Sequence, residues 1–284
     1  MSKNLRIILD STTDIAEELK DRFTIVPLIV SFGEKEYLDG IDISRNEFYE
    51  KLETGEGDEL PKTSQASPAT FEEYYEEVRK AGEEAIVITV SSTLSGTYQS
   101  ACIAASEYPE IRVVDSKSVA VGTGILAEYA LKRAEEGAGL EELSTELEEK
   151  KNEIILLAML DTLEYLKRGG RISKAKATIG DVLNIKPVVT VLDGEIQILG
   201  KARGTRKANN FLIRQIKEKA VDFDLPVLLG YSGTSDALLL QYIEDSRCIW
   251  EDQVKQLNLS QICSVVGTHV GPGAVAVAYF AKKN

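Results

Sequence analysis

The chain has 284 residues, 43% of them hydrophobic, which is enough to bury the core of one large or two ordinary domains. A net charge of −13 argues against a nucleic-acid binder held by phosphate contacts, and no apolar run approaches the length of a membrane span. With no signal-peptide pattern in MSKNLRIILDSTTD, a soluble cytoplasmic protein is expected.

Taken in order, LRIILDST predicts a strand and DIAEELKDR a helix, and the apolar FTIVPLIVSF continues this alternation. Ser44 and Glu47 form the S-x-x-E signature of a helix start. The stretch ETGEGDELPKTSQASP, rich in Gly, Pro and polar residues, predicts an exposed or functional loop. A helix (ATFEEYYEEVRKAG), a strand (AIVITVSS), a helix (GTYQSACIAASEY), a strand (IRVVDS) and a helix (GILAEYALKRAEEG) follow. Strands alternating with helices imply a parallel sheet.

The second half has a different pattern. EIILLAML predicts a strand, and DTLEYLKRGGRISKAKATIGDVLN two short helices broken at Gly169 and Gly170. Asp193-Gly194 between two apolar runs predicts a hairpin. A helix from about Thr205 to Ala220, the strand PVLLGYS and one longer helix through SDALLLQYIEDSRCIWEDQVKQL come next. QICSVVG and GAVAVAYF then read as two strands joined by a tight turn that carries His269, the only histidine in the chain. The fold class is α/β with two domains: a parallel-sheet α/β domain at 1–152 and an α+β domain with hairpin-linked strands at 153–284. Charge divides in the same way. Residues 1–150 carry 32 acidic side chains against 15 basic, and residues 151–284 carry 14 against 18. The split suggests two surfaces with different partners, or simply a soluble acidic first half.

Hydroxyls crowd the ends of the first-half strands in DSTTD, SSTLSGT and DSKS, and the loop PKTSQASP. Ligands of open α/β sheets collect at the carboxyl ends of the strands, so these clusters read as an anion site of neutral donors. Ser95, just before Gly96, can cap the next helix or bond a ligand at the same place. Arg171 and Arg203, each flanked by glycine, are the basic residues best placed to reach a carboxylate or phosphate. Arg168 and Arg206 belong to the same basic stretches, whose lysines, Lys167, Lys174, Lys176, Lys201 and Lys207, read as a solvated face. VGTGILA is a poor dinucleotide motif because its glycines lie well beyond the strand end, and neither a P-loop nor a G-x-S-x-G elbow occurs. Ser232 reads as a strand-to-helix cap. Cys102, Cys248 and Cys263 lack metal-site or disulfide spacing and read as small core residues.

The motifs DSTTD, TSQASP, SSTLSGTYQSA, VVDSKSVAVGTG, LDTLEYLKRGGRIS, NIKPV and GTHVGPGA, in that order over nearly the whole chain, resemble the DegV family of bacterial fatty-acid-binding proteins. Ala66 stands where the family commonly has proline after T-S-Q. The resemblance implies a long-chain fatty acid as ligand, held in a buried tunnel with its carboxylate at the domain junction. It places the carboxylate at Thr63, Ser95 and His269, with Ser64 and Gly96 beside them, and gives Arg171 and Arg203 to phosphoryl transfer or partner contact. It further implies a carrier without intrinsic catalysis or a cofactor. Such a carrier presents the acid to a separate ATP-dependent fatty acid kinase subunit, and the acyl-phosphate formed feeds phospholipid synthesis. Two other readings compete: a Ser-His acyl hydrolase or transferase using Ser95 and His269, and a regulatory interaction protein.

Overall fold

In the computed structural model, which describes residues 4–55, 60–172 and 184–282, LRIILD forms β1 (Leu5–Asp10), buried at its last four positions. The helix expected next shortens to a 3-10 turn at Glu17–Arg22. The apolar run FTIVPLIVSF forms two strands, β2 (Thr24–Val26) and β3 (Ile29–Phe32), and they belong to different sheets. Pro27 lies at the break, where its missing N–H interrupts a ladder. β4 (Lys35–Leu38) turns back onto β3.

α1 (Arg45–Thr54) begins with the capping box: Glu47 N donates to Ser44 Oγ (3.2 Å) and Ser44 N donates to Glu47 Oε2 (2.9 Å). The described part of the next loop contains β5 (Lys62–Ser64), which completes a small antiparallel sheet in the order β4-β3-β5. α2 (Pro68–Ala81), β6 (Glu84–Thr89), α3 (Thr97–Ala105), β7 (Ile111–Asp115) and α4 (Val121–Glu135) follow as the pattern predicts. α5 (Leu140–Lys150) was not anticipated; it buries Leu140, Leu143 and Leu147, a one-sided helical spacing. The main sheet of this half runs β2-β1-β6-β7 with every pair parallel. Asp10, Thr89 and Asp115 therefore end at one edge.

The second half forms a separate mixed sheet. β8 (Ile154–Met159), α6 (Glu164–Arg168), β9 (Ile185–Leu192) and β10 (Glu195–Arg203) come first. Of the two short helices expected, the second lies outside the described residues. The Asp193-Gly194 hairpin has φ of 51° and 82°, as a type I′ turn requires. After α7 (Thr205–Lys219) and β11 (Val227–Tyr231), the single long helix expected breaks into α8 (Ala237–Asp245) and α9 (Arg247–Trp250). Ser246 sits at the break; its hydroxyl donates back to Tyr242 O (2.6 Å) and accepts from Trp250 Nε1 (2.8 Å).

β12 (Asn258–Gln261) ends where the expected strand QICSVVG begins, and most of that segment forms a helix instead, α10 (Ser264–Val270), before β13 (Val275–Phe280). His269 is therefore in the last turn of a helix, not in a turn between strands. The caps of α10 come from far away in sequence. Asp14 Oδ1 accepts from Cys263 N (3.0 Å) and Asp39 Oδ1 from Ser264 N (3.3 Å), while Cys263 Sγ accepts from Val266 N (3.4 Å).

The six-stranded sheet runs β10-β9-β8-β13-β11-β12 and is covered on both faces. Alternate residues point opposite ways. Leu156, Leu228, Ala276 and Ala278 join the core of the first half through α4, whereas Leu157, Leu229, Val275 and Val277 pack under α7 and α8. The glycines of VGTGILA serve this contact: a Cβ on Gly124 would lie 1.9 Å from Asp14 O. Of the cysteines, Cys263 is buried, Cys102 half-buried and Cys248 exposed, so the core reading holds fully for Cys263 alone. No helix among the described residues is long and apolar enough to cross a membrane.

Candidate ligand-binding site

Two of the acidic residues at the parallel-strand ends fix the loops that follow. Asp10, fully buried, accepts from Thr12 N (2.9 Å), Thr12 Oγ1 (2.5 Å) and Val90 N (2.7 Å). Asp115 accepts from Ser92 N (3.1 Å), Ser92 Oγ (2.5 Å) and Lys117 N (2.9 Å). Part of each hydroxyl cluster is thus spent on shaping its own loop. Ser91 Oγ also donates to Gly194 O (2.8 Å), which pins the β9–β10 hairpin against the loop after β6.

Between this edge and α10 lies a pocket of about 330 Å³. Thr63, Ser64, Gln65, Ser95, Arg171 and His269 line one part of it, and Leu28, Val119, Leu166, Val265 and Val266 the other. It continues into a chamber of about 60 Å³ walled by apolar side chains apart from Thr190; Val119, Leu166, Ile196, Val266 and Val270 border both. Toward solvent it meets an open polar mouth of about 530 Å³, with Leu94, Ser95, Gly96, Arg171 and Ile196 common to both. The three spaces form a series: polar mouth, mixed pocket, apolar end.

Thr63 and His269 meet, with Oγ1 and Nε2 2.9 Å apart. β5 supplies the first and α10 the second. Burial, and then the Arg171 guanidinium, push the His269 pKa down to about 4, so the imidazole is neutral at neutral pH. Its Nδ1 is buried without a hydrogen-bond partner and faces Gly169, where a Cβ would come within 2.1 Å. Arg171 is the one charged residue among those lining the pocket. Its Nε donates to Leu94 O (3.1 Å) and its Nη1 to Gly169 O (2.6 Å), which holds the guanidinium where pocket and mouth join.

Ser95 is half-buried and lines both spaces. The N-cap position of α3 falls on Gly96, and Ser95 Oγ accepts from Thr97 N (3.3 Å) and shares a hydrogen bond with Thr97 Oγ1 (2.8 Å). Gly96 leaves room for Gln65: a Cβ there would lie 2.1 Å from Gln65 Oε1, and Gln65 Nε2 donates to Ser100 Oγ (2.8 Å). Ala66 is buried behind this contact.

Other sequence candidates fall elsewhere. Arg203 is exposed at the end of β10 and borders none of the three spaces; Arg206 and Lys207 are exposed beside it. Lys174 and Lys176 lie outside the described residues. Ser232 is not a helix cap. Its hydroxyl donates to Gly271 O (2.6 Å) and accepts from Ala274 N (2.8 Å), clamping the G-P-G turn after α10. A Ser-His pair is not formed: Ser95 Oγ is bonded to Thr97, His269 Nε2 to Thr63, and no carboxylate orients Nδ1.

Gln65 and the apolar lining went unnoticed in the sequence. Val265, Val266, His269 and Val270 have the i, i+1, i+4, i+5 spacing of one helix face, a signal hidden when the segment is read as a strand.

A family described as "Uncharacterised protein, DegV family" matches residues 4–282. A DegV domain-containing protein of Caldanaerobacter subterraneus subsp. tengcongensis is 37% identical over 285 residues, covering 99% of this chain and 100% of that one. Among solved structures, a fatty-acid-binding DegV family protein of Thermus thermophilus superposes with a TM-score of 0.87 at 29% identity, over 98% of this chain and 100% of the other. A stearic-acid-binding protein of Eubacterium ventriosum gives a TM-score of 0.82 at 27% identity, over 99% of each chain.

Proposed function

Because this chain belongs to the DegV family, we propose that it binds one long-chain fatty acid and presents the carboxylate to a separate ATP-dependent kinase subunit. The observation that carries the reading is the graded pocket. Hydroxyls, a neutral imidazole and a single guanidinium stand at one end, and an apolar chamber with no charged lining stands at the other. The fatty acids bound by the structural neighbours of Thermus and Eubacterium support the same ligand class here.

The chemistry follows from the hydrogen-bond inventory. With its proton on Nε2, His269 donates to Thr63 Oγ1, which frees the threonine hydroxyl to donate to a carboxylate oxygen. Ser95 Oγ and Ser64 Oγ add neutral donors beside Gly96, and Arg171 supplies the positive charge. Neutral donors hold a carboxylate or an acyl-phosphate alike, so the same set serves before and after transfer. Arg171 borders the open mouth and is assigned to the incoming phosphoryl group; Arg203, exposed on β10, is assigned to the kinase-facing surface. Burial of the alkyl chain contributes about 0.8 kcal/mol per CH₂ and dominates affinity, while the polar end sets orientation.

The test is organic extraction of the purified protein followed by mass spectrometry. A stoichiometric fatty acid, or uptake of added acid, is expected; neither being found would overturn the binding reading. Thr63→Val should weaken fatty-acid affinity by about tenfold, the worth of one hydrogen bond to a charged group. For presentation, the loaded protein with the purified kinase subunit and ATP should yield an acyl-phosphate that hydroxylamine traps as the hydroxamate. No hydroxamate from loaded protein would leave a binding protein without the presenting role.

A further inference from the structure

At the N-terminal end of α10, opposite His269, lies another cavity of about 190 Å³ that shares no lining residue with the three spaces above. Exposed Ile41 is at its border. The buried charge around it does not cancel. Asp14 and Asp39 are 0% and 4% exposed, and one guanidinium, that of Arg45, stands with them. Arg45 pairs with Asp14 Oδ1 at 3.0 Å and gives its other bonds to Ser260 Oγ (3.2 Å) and Gln261 O. Lys20 lines the cavity too, but its ammonium is paired with Glu17 at 2.5 Å.

Asp39 Oδ1 accepts from Ser264 N, and Oδ2 has no hydrogen-bond partner. Thr13 Oγ1, on a residue 3% exposed, has none either. Both residues line the cavity. The Arg45 guanidinium acts on both Asp14 and Asp39, so one positive charge serves two buried carboxylates, and the charge left over calls for a proton or a cation.

The surroundings select among cations. A calcium-like ion takes six or more oxygen ligands, and no group of three or more His, Cys, Asp or Glu side chains able to hold a metal occurs among the described residues. A guanidinium binds best across both carboxylate oxygens, whereas here Oδ2 alone is without a partner. A primary ammonium concentrates three N–H donors on a point charge. It matches the free Asp39 oxygen and the Thr13 hydroxyl, while Ile15, Ile25, Pro27 and Ile41 offer apolar walls to a short alkyl group. The volume of about 190 Å³ is ample for a small ion. We propose that this cavity is a second ligand site, which binds a small primary alkylammonium ion through Asp39 and Thr13.

Titration calorimetry with ethylammonium chloride on the full chain tests this, with tetramethylammonium and calcium chloride as comparisons. Ethylammonium should bind once per chain and tetramethylammonium, which has no N–H, should not. Asp39→Asn should weaken ethylammonium by roughly tenfold or more, and Thr13→Val by a smaller factor in the same direction. If Asp39→Asn does not fold, loss of affinity in Thr13→Val decides. Absence of ethylammonium binding to the natural protein, equal binding of tetramethylammonium, preference for calcium, or unchanged affinity in Thr13→Val would overturn the proposal. The experiment involves no fatty acid, so its outcome is independent of the acyl pocket.

Discussion

His269 is kept uncharged by its burial and by the Arg171 guanidinium, and this decides what it can offer a ligand. The neutral ring shares a hydrogen bond with Thr63, and the one charged group lining the pocket is the Arg171 guanidinium. Because its folded pKa, about 4, lies below the ordinary 6.5, the unfolded chain binds more protons between these values. The stability contributed by the neutral ring is complete above pH 6.5 and is lost as pH falls toward 4. As the only histidine in the chain, it gives a single imidazole resonance, and an NMR titration should show a midpoint near 4. A midpoint at the ordinary 6.5 would mean a solvated ring and would remove the argument for a neutral donor. The sequence pointed to this residue through its isolation and its glycine-rich context. It hid the helix beneath, because the caps are Asp14 and Asp39, 249 and 225 positions away from the amides they hold.

Where periodicity was strong the elements were legible, and where a remote partner decides the conformation they were not. The parallel strands, α2 and the Asp193-Gly194 hairpin carry their own signals in spacing and turn chemistry. Pro27 marks the break between β2 and β3 locally, but the pairing of the two strands with different sheets and the start of α10 depend on neighbours that no local window contains. α4 shows a third case, in which the local signal is right but one residue opposes it. Glu128 is 8% exposed inside that helix, its Oε1 has no hydrogen-bond partner, and burial raises its pKa to about 7. The folded state then binds more protons than the unfolded state between 4.5 and 7, so stability falls as pH rises through that window. Glu128→Gln keeps the shape and removes the charge. It should stabilise the protein at about pH 8 by on the order of 3 kcal/mol and have little effect near pH 4.5, as read by urea denaturation. Equal stability of the two proteins at about pH 8 would show that the carboxylate is solvated or paired.

At the scale of the molecule the pocket belongs to neither half alone. Thr63 and Ser95 come from the first half, Arg171 and His269 from the second, and the apolar end lies on the face of the six-stranded sheet that packs toward α4. The motifs identify the polar residues one by one, but which apolar side chains close the far end depends on strand register. There Ala158 of β8 and Ala276 of β13 are direct cross-strand partners, and both line the chamber. Two small side chains opposite each other leave the space of the chamber, where the alkyl terminus of the proposed ligand would end. Ala276→Leu adds three carbons at that point and should shorten the longest chain the pocket accepts. Each methylene denied burial costs about 0.8 kcal/mol, near fourfold in affinity, so stearate should bind at least about tenfold more weakly while laurate binds nearly as before. Overpacking on a closed sheet face costs stability by roughly 1–3 kcal/mol, so a urea unfolding curve separates that general cost from the change in chain-length preference. Equal weakening of stearate and laurate would place the alkyl terminus elsewhere, and unchanged stearate affinity would show that the chain never reaches the two alanines.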